Sequence, residues 1–381
     1  MREETAVITD CDIRTAYGRG LACCWEGLWE GRTAIRPCTR FDTGHFPSRM
    51  AAVVDGIGYG GRSSLAARML IPLLESSKPL VPCDAVPVLA STTGEIDLLE
   101  KNVLEGTGDA AESRLDVFLE KVKAAAGIKG GGFVVSGACA SSSAALGFAA
   151  GLIQNGKHDC VLVAAVDAVT EFVFSGFSSL MALDPEPAKP FDRQRAGLSL
   201  GDGAGFILLM SCSRAQREGR AILGEISGWA MTADANHMTG PSRDGDGLKR
   251  AIQKALDRAC VSDGDIGVIS SHGTGTVYND SMEMKAYTAV FGRPVPLYSI
   301  KGAVGHTMGA AGLIETAIAL RVLRERVIPA TIGLRDADPE AKNWVSSEKR
   351  KLEKSVVLLN NSGFGGVNAA LVLRQPYAER Q

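Results

Sequence analysis

Short apolar runs and amphipathic stretches alternate along the chain, and glycine-rich turns separate them. Residues 160–169 (CVLVAAVDAV) form a continuous apolar run of strand length, which is typical of a strand buried on both faces of a sheet. Residues 246–260 place Leu248, Ile252 and Leu256 in one i, i+4, i+8 row, which predicts an amphipathic helix. This alternation predicts an α/β fold with a mostly parallel sheet that helices cover on both faces.

The strand–loop–helix pattern occurs twice. The first series opens with a predicted strand at residues 5–11 (TAVITDC) and closes with another at 201–211 (GDGAGFILLMS), and the second series begins near Ala221. We therefore expect two similar halves, residues 1–215 and 216–381. No low-complexity linker separates them, so the halves are expected to pack as one body.

Composition and charge exclude several classes of protein. A hydrophobic fraction of 45% and a formal net charge of −2 argue against disorder and against nucleic acid as a partner. The nine cysteines contain no CxxC pair, so they predict neither a disulfide framework nor a zinc site. No apolar run approaches the ~18 residues of a membrane span, and the N-terminus lacks the apolar core of a signal peptide. We therefore expect a cytoplasmic protein without a membrane span.

One cysteine, Cys139, lies among the smallest side chains, in residues 136–151 (SGACASSSAALGFAAG), at the predicted start of a helix. A helix N-terminus favours a thiolate, and its unpaired N–H groups can hold an anion. Small neighbours also leave room for a substrate carbonyl to approach. The stretch predicts either a nucleophile or an ordinary buried cysteine.

Two of the five histidines, His272 and His306, follow predicted strands and enter glycine-rich loops. Because ligands bind outside the carboxyl ends of strands in α/β sheets, both imidazoles are expected to approach one thiol. Lys301 and Glu315 flank His306, and a charge inside the apolar run around Glu315 suggests a buried partner. The alternative is that these four side chains are ordinary surface or packing residues.

Residues 361–366 (NSGFGG) place Phe364 between glycines. This setting allows the backbone N–H of Phe364 to point into a cleft, and its ring to form a wall or gate. A core phenylalanine on a turn is the alternative interpretation.

On these motifs the chain resembles the β-ketoacyl-[acyl-carrier-protein] synthases, condensing enzymes with the thiolase fold. Five stretches carry the resemblance and occur in the order of that family. They are 137–146 (GACASSSAAL), 189–205 (KPFDRQRAGLSLGDGAG), 270–280 (SSHGTGTVYND), 299–315 (SIKGAVGHTMGAAGLIE) and 360–368 (NNSGFGGVN).

The resemblance implies a five-layered α/β/α/β/α fold and decarboxylative Claisen condensation, in fatty acid or polyketide synthesis. It makes Cys139 the acylated nucleophile, His272 and His306 the decarboxylation and oxyanion pair, and Lys301 and Glu315 their charged support. Acyl and malonyl groups would arrive on an acyl carrier protein, with no metal or other cofactor. A homodimer is implied as well.

Three further residues take roles from the same resemblance. Phe364 matches the gate residue whose amide joins that of Cys139 in the oxyanion hole. Thr274 and Thr276 match the threonines that line the phosphopantetheine tunnel. Four basic side chains are expected to meet an acidic carrier protein: Lys129, Arg193, Arg195 and Arg214.

The chain departs from the family pattern before the predicted nucleophile and again at residues 277–280. Residues 55–88 are compressed, and the stretch from 91 to 131 lacks the long segment that helps form the dimer interface and acyl pocket in relatives. Residues 277–280 (VYND) replace a proline-containing sequence, which is expected to reshape the entrance for the carrier protein.

Other functions stay open at this point. The chain could be a non-elongating partner of another ketosynthase, similar to a chain-length factor and part of a heterodimer, although such partners usually lack the cysteine that Cys139 provides. Thiolases commonly use a second cysteine near the C-terminus, whereas the last cysteine here is Cys260. A cysteine hydrolase would need an Asp or Asn to orient a histidine, and no spacing identifies one.

Overall fold

The computed structural model describes residues 4–61 and 63–375. Its strands are β1 (Ala6–Thr15), β2 (Gly18–Arg19), β3 (Arg36–Pro37), β4 (Met50–Ala52), β5 (Val86–Ala90), β6 (Phe133–Val135), β7 (Cys160–Asp167), β8 (Leu200–Gly201), β9 (Gly203–Ser211), β10 (Gly224–Ala233), β11 (Val268–Ser270), β12 (Leu297–Tyr298), β13 (Val327–Ile328), β14 (Arg350–Lys351), β15 (Val356–Gly363) and β16 (Val367–Arg374).

The α-helices connect these strands. They are α1 (Leu21–Trp29), α2 (Leu65–Ser77), α3 (Ile96–Glu105), α4 (Leu115–Ala126), α5 (Ser141–Gln154), α6 (Glu171–Ser179), α7 (Cys212–Arg217), α8 (Asp246–Ala259), α9 (Val277–Phe291), α10 (Lys301–Val304) and α11 (Ala311–Glu325). Within the described residues, none of these helices has the length and apolarity needed to cross a bilayer.

One large sheet contains two copies of the same strand arrangement. The first copy runs β6-β5-β7-β9-β1 and the second β12-β11-β15-β16-β10, and the copies join where β1 pairs with β10. If the five strands of each copy are numbered in chain order, both copies have the same spatial order in the sheet: third, second, fourth, fifth, first. The pairing directions also match. In the first copy β5 is parallel to β6 and β7, and in the second β11 is parallel to β12 and β15. The remaining pairs within each copy are antiparallel.

Alternate residues of the central strands face different cores, as the two-residue period of a strand requires. In β7, Val161 and Val163 join a central core, while Leu162 and Ala164 join an outer core with α2 and α4. The central core also contains the apolar faces of α5 and α11. The second copy packs α8 and α9 on its own outer face. The two copies of the sheet thus form two layers, one on each side of α5 and α11, and the order of layers is helix, sheet, helix, sheet, helix.

One detail of the predicted organisation differs from the structure. The sheet is mixed, so the prediction of a mostly parallel sheet is wrong. The reason is that β16 follows β15 through a turn at residues 364–366, and so short a connection forces antiparallel pairing. The predicted boundary between residues 215 and 216 lies inside α7. The division into halves 1–215 and 216–381 stays a prediction.

Candidate active site

A tight turn between β6 and α5 holds Cys139. The helix begins at Ser141, two residues after the cysteine, and Ala138 takes a left-handed φ of 49°. The Ser141 hydroxyl closes the turn, because Oγ accepts from the N–H of Gly137 at 2.9 Å and donates to the carbonyl of Ala138 at 2.6 Å. A side chain at Gly363 would put its Cβ 3.1 Å from the Cys139 nitrogen. Small residues here therefore let the β15–β16 turn approach the thiol.

Burial raises the pKa of Cys139 to about 12. The positive charge of Lys301 and the backbone N–H groups of Phe364 and Cys139 itself lower that pKa, and the carboxylate of Asp167 raises it. The thiol is therefore the resting form of Cys139 near pH 7. The helix start does stabilise negative charge, but loss of water around the sulfur outweighs it.

His272 and His306 lie side by side, with ring centroids 5.2 Å apart and planes inclined by 85°. Both are buried. The Nδ1 atom of His306 accepts a hydrogen bond from the backbone N–H of Met308 at 3.2 Å. Since that nitrogen is an acceptor, neutral His306 carries its proton on Nε2.

Asn361 gives His272 the same tautomer. Its side-chain Nδ2 lies 3.2 Å from His272 Nδ1 and donates to Glu315 Oε2 at 2.7 Å, while its Oδ1 accepts from the Ser143 hydroxyl. The carboxylate of Glu315 fixes which end of the amide faces it, because an amide oxygen there would be repelled. An amide nitrogen can only donate, so His272 Nδ1 is the acceptor and Nε2 carries the proton.

A buried ion pair supports the two imidazoles. Lys301 pairs with Glu315, and its Nζ also donates to the carbonyl of His272 at 2.5 Å. Burial, followed by the charge of Lys301, lowers the pKa of both His272 and His306 well below the ordinary value. Burial also raises the pKa of Glu315, although Lys301 opposes this shift. Both imidazoles are consequently neutral near pH 7.

Asp167 and Glu283 hold the two histidine loops through backbone N–H groups. Asp167, at the end of β7, accepts from the N–H of Gly309 at 2.7 Å. Glu283, on α9, accepts from the N–H groups of His272 and Gly273 at 2.8 and 2.7 Å. Sequence reasoning missed both carboxylates and Asn361. The signal that pointed to Glu315, a charge inside an apolar run, also marks Asp167 at the end of CVLVAAVD.

A cavity of about 410 Å³ opens to solvent above these groups. Cys139, His272, His306, Thr274 and Thr276 all line it, and the two threonine Oγ1 atoms lie 3.0 Å apart. Phe364 lines it as well.

The ring of Phe364 stacks on Phe177, with centroids 5.6 Å apart. Lys301 and Glu315 lie behind the histidines and do not line the cavity. The structure thus brings all the predicted site residues together. Within the described residues, no three His, Cys, Asp or Glu side chains are arranged to hold a metal ion.

The basic residues expected to meet a carrier protein behave differently. Arg195 is buried and pairs with Asp338 at 2.6 Å. Arg214 is buried too and pairs with three carboxylates, those of Asp84, Asp159 and Glu218. The expectation for these two arginines is wrong, because carboxylates of the same chain occupy their guanidinium groups. Arg193 and Lys129 are exposed.

Comparison with known proteins identifies the family. Residues 120–215 match the family model for the β-ketoacyl synthase N-terminal domain, and residues 223–335 match that for the C-terminal domain. The chain belongs to the β-ketoacyl synthase family. It is 33% identical to the tetracenomycin polyketide synthase ketoacyl synthase alpha subunit of Streptomyces glaucescens, with 99% of each chain covered. It is 30% identical to 3-oxoacyl-[acyl-carrier-protein] synthase 2 of a Synechocystis species, with 98% of this chain and 99% of the relative covered.

The fold agrees with solved ketosynthase structures. The chain superimposes on the ishigamide ketosynthase/chain length factor with a TM-score of 0.85 and 29% identity, covering 98% of this chain and 100% of the other. This agreement confirms the predicted thiolase-like α/β fold. Membership of the β-ketoacyl synthase family supports a condensing acyltransferase activity in general.

Proposed function

We propose that this β-ketoacyl synthase joins an acyl group on Cys139 to a malonyl-type extender by decarboxylative Claisen condensation. The observation that carries the proposal is a pair of neutral imidazoles, His272 and His306, each with its proton on Nε2 and each lining the same cavity as the thiol. A malonyl thioester needs such donors, because losing carbon dioxide leaves an enolate whose oxygen carries negative charge.

In the first half-reaction, the sulfur of Cys139 attacks the acyl thioester of a carrier. A bond forms between sulfur and the acyl carbon, the bond to the carrier sulfur breaks, and the thiol proton leaves with the carrier thiol. The backbone N–H groups of Phe364 and Cys139 stabilise the oxyanion of the tetrahedral intermediate. One such donor is worth ~3 kcal/mol in the barrier of an acyl transfer.

In the second half-reaction, the Nε2–H groups of His272 and His306 donate to the malonyl thioester oxygen. Carbon dioxide leaves, the enolate carbon attacks the acyl carbon, and the carbon–sulfur bond to Cys139 breaks. The departing thiolate takes a proton from water, in line with the raised pKa of Cys139. Neutral imidazoles suit this step. In each ring the Nε2–H can donate to the substrate oxygen, while the lone pair on Nδ1 already accepts a hydrogen bond from the protein.

The same geometry disfavours a cysteine hydrolase. A hydrolase needs an imidazole lone pair facing the thiol or a water molecule, so that the ring acts as a base. Here the Nδ1 lone pairs of His272 and His306 are directed at Asn361 and at the N–H of Met308. Both rings are therefore arranged as donors toward the cavity.

We propose an acyl carrier protein as the partner that delivers both substrates, through a phosphopantetheine arm that passes Thr274 and Thr276. One relative is named as part of a polyketide synthase and another as a 3-oxoacyl-[acyl-carrier-protein] synthase. Fatty acid and polyketide synthesis both belong to the proposal. A homodimer is the proposed assembly, by resemblance to the family.

Intact-protein mass spectrometry tests the first half-reaction. The protein is incubated with an acylated carrier protein, and we expect one acyl group per chain, located on Cys139 by peptide mapping. Cys139→Ala should remove the label. Cys160→Ala, which changes a buried cysteine outside the cavity lining, should retain it. An intact, folded protein that never acquires the acyl group would defeat the proposal.

The second candidate is a partner subunit similar to a chain-length factor. The likeness to the ishigamide ketosynthase/chain length factor favours it, whereas the retained Cys139 and its complete surroundings favour the elongating enzyme. Size-exclusion chromatography of the protein alone separates the two, because a stable homodimer would weaken the proposal of a heterologous partner.

A further inference from the structure

The stretch GDGAG, residues 201–205, belongs to one of the motifs that carry the family resemblance, yet it lies outside the cavity lining. It begins in β8, which pairs with β4, so the small sheet β3-β4-β8 leads directly into the motif. Leu200 of β8 also forms a parallel bridge with His306. The small sheet therefore connects this motif to one of the two imidazoles of the site.

The bridge holds His306 by its backbone. The N–H of His306 donates to the carbonyl of Ser199 at 2.7 Å, and the carbonyl of His306 accepts from the N–H of Gly201 at 3.0 Å. His306 thus takes the place of a further strand beside β8. Its Nδ1 accepts from the N–H of Met308, two residues further on, so the position of this backbone determines where the ring proton lies.

Two glycines let the backbones approach this closely. A Cβ at Gly201 would overlap the carbonyl oxygen of Val304, and a Cβ at Gly305 would overlap that of Leu200. Gly305 also has a φ of 71°, which favours glycine. A side chain at either position would therefore push β8 away from the residues around His306.

Asp202 anchors the end of β8. Its buried carboxylate accepts from the backbone N–H groups of Val54 and Val169, each at 2.7 Å. It also accepts two parallel hydrogen bonds from the guanidinium of Arg40, at 2.8 and 2.6 Å, and the Arg40 side chain is only 2% exposed. The backbone next to Gly201 is therefore tied to the segments that follow β4 and β7. We call Asp202 and Arg40 the β8 clamp.

A buried ion pair is a poor way to gain stability alone, because desolvation of both charges offsets most of their attraction. Apolar residues of similar size often stabilise a protein as well or better. What the clamp supplies is a fixed geometry, since a carboxylate held by a bidentate arginine and two N–H groups has one well-defined position. A donor that must face developing charge in a transition state requires such a rigid support.

We propose that the β8 clamp positions His306: the clamp fixes β8, and β8 fixes the backbone that carries the imidazole. The proposal rests on the proposed function and adds Asp202 and Arg40 as positioning residues outside the cavity lining. In the proposed mechanism His306 serves condensation, so the clamp should matter for condensation and not for acylation of Cys139. The ring of His272, on a different loop, should be unaffected.

The test loosens the clamp without leaving a buried charge unpaired. The variant combines Asp202→Asn with Arg40→Met, because removing one partner alone would strand the other. Asparagine keeps the size of the carboxylate but places an acceptor at only one of its two ends. The matched control is Glu225→Gln with Arg374→Met, an ion pair at the end of β10 and β16 away from the Phe364 turn.

Single-turnover assays measure the two half-reactions in the double variant. We expect condensation to slow about tenfold or more and acylation of Cys139 to change less than about threefold, because a displaced donor affects only the step that uses it. The control pair should leave both rates unchanged.

The tautomer of His306 is a readout that a general loss of stability would not move. In protein labelled with ¹⁵N at its five histidines, long-range ¹H–¹⁵N NMR reports the tautomer of each ring. We expect His306 to lose its pure Nε2–H form in the double variant, while His272 keeps that form. The control pair should leave both rings as they are.

Equal loss of both half-reactions, or an unchanged His306 tautomer in the double variant, would overturn the proposal. Loss of acylation with condensation retained would assign the clamp to the thiol side of the site and also contradict it. An unmodified protein that acylates but never condenses would instead count against the proposed function. The NMR comparison would still decide the role of the clamp in that case.

Amide hydrogen exchange of the unmodified protein needs no variant, so it decides even if the double variant does not fold. If the clamp holds His306, the N–H groups of Gly201, His306, Val54 and Val169 open as one unit. Their protection factors should then agree within about threefold. A His306 amide that loses protection well before the two N–H groups bound to Asp202 would contradict the proposal.

Discussion

At Cys139, burial and the surrounding positive charge act in opposite directions on the thiol. The protonated form prevails, with a pKa of about 12, although Lys301 and two backbone N–H groups favour the anion. The arrangement stabilises negative charge without leaving a permanent thiolate. We infer that the nucleophile forms as the substrate arrives, when its carbonyl oxygen enters the oxyanion hole.

Alkylation of Cys139 by iodoacetamide should therefore be slow at pH 7 and should keep accelerating beyond pH 9, because the thiolate fraction is still rising there. Peptide mass spectrometry after timed quenching measures the rate at each cysteine. The exposed Cys83 and Cys260 serve as controls for the reagent. A rate at Cys139 that reaches its plateau by pH 7 would show a stable thiolate and contradict this account.

Asn361 is the residue through which Glu315 reaches His272. Among the described residues, the side-chain amide of Asn361 is the group that donates to His272 Nδ1 and so keeps the proton of the ring on Nε2. In the proposed mechanism, only the condensation half-reaction uses the imidazole donors, whereas acylation depends on Cys139 and the backbone N–H groups around it. The two half-reactions should consequently respond differently to a change at residue 361.

We expect Asn361→Leu to slow condensation about 100-fold and to change acylation of Cys139 less than about threefold. Single-turnover assays with acyl-carrier and malonyl-carrier substrates measure the two rates. Asn360→Leu is the control for loss of a buried amide, because Asn360 lies next along β15 and reaches the His272 loop only through Glu283, without contacting the imidazole. Equal loss of both half-reactions in Asn361→Leu would mean that the residue only supports the fold.

At this scale, the sequence predicted the residues that belong to recognisable loops, namely Cys139, His272, His306 and Phe364. It could not predict the pKa of Cys139, because desolvation depends on every layer packed around the turn. It also could not show that Arg195 pairs with Asp338 or Arg214 with Asp84, since these carboxylates lie far away in the chain.

Among the elements, α5 and α11 approach each other closely near the site. A Cβ at Gly312 of α11 would overlap Ser143 of α5 and crowd Asn361. Both neighbours belong to the network that orients His272, so this contact links the central helix layer to the chemistry.

Gly312→Ala should lower the free energy of unfolding by about 1–3 kcal/mol through overpacking and should slow condensation. Gly176→Ala in α6 is the matched control, because a Cβ there meets nothing within 4 Å. Alanine should be neutral or stabilise that helix by up to about 1 kcal/mol. Urea unfolding of both variants decides, and equal stability of the two would refute the proposed close packing.

Hydrophobic patterns predicted several of these elements, including the strands β1, β7 and β9 and the amphipathic helix α8. Strand direction was harder, because it depends on which strands pair. The last strand of each copy, β9 or β16, runs antiparallel to both neighbours. No local pattern in residues 203–211 reveals this.

For the whole molecule, two kinds of buried group restrict the pH range of stability. The folded-state pKa values of His272 and His306 lie well below 6.5. Below pH 6.5 the unfolded chain binds protons that the folded chain does not, so this contribution is present above that pH and is lost as pH falls. Buried thiols such as Cys24 and Cys160, with pKa values raised to about 12, make stability fall as pH rises above 9.

Replacing both His272 and His306 with glutamine should therefore weaken the loss of stability between pH 6.5 and pH 5. Each histidine contributes up to about 1.4 kcal/mol per pH unit in that range. Urea titrations at both pH values measure the change, with the exposed His158→Gln as control. An identical acid response in the double variant and the unmodified protein would show that the buried imidazoles titrate normally.

Loops from both copies of the sheet build one site around a single sulfur, and we propose that this site carries out condensation. The most direct measurement starts from protein acylated on Cys139 and follows one turnover with malonyl-carrier protein by mass spectrometry. We predict one carbon dioxide and one extended thioester per acylated chain. His272→Ala and His306→Ala should stay acylated without extending. Extension at an unchanged rate without both imidazoles, or hydrolysis of the acyl group in place of extension, would contradict the account.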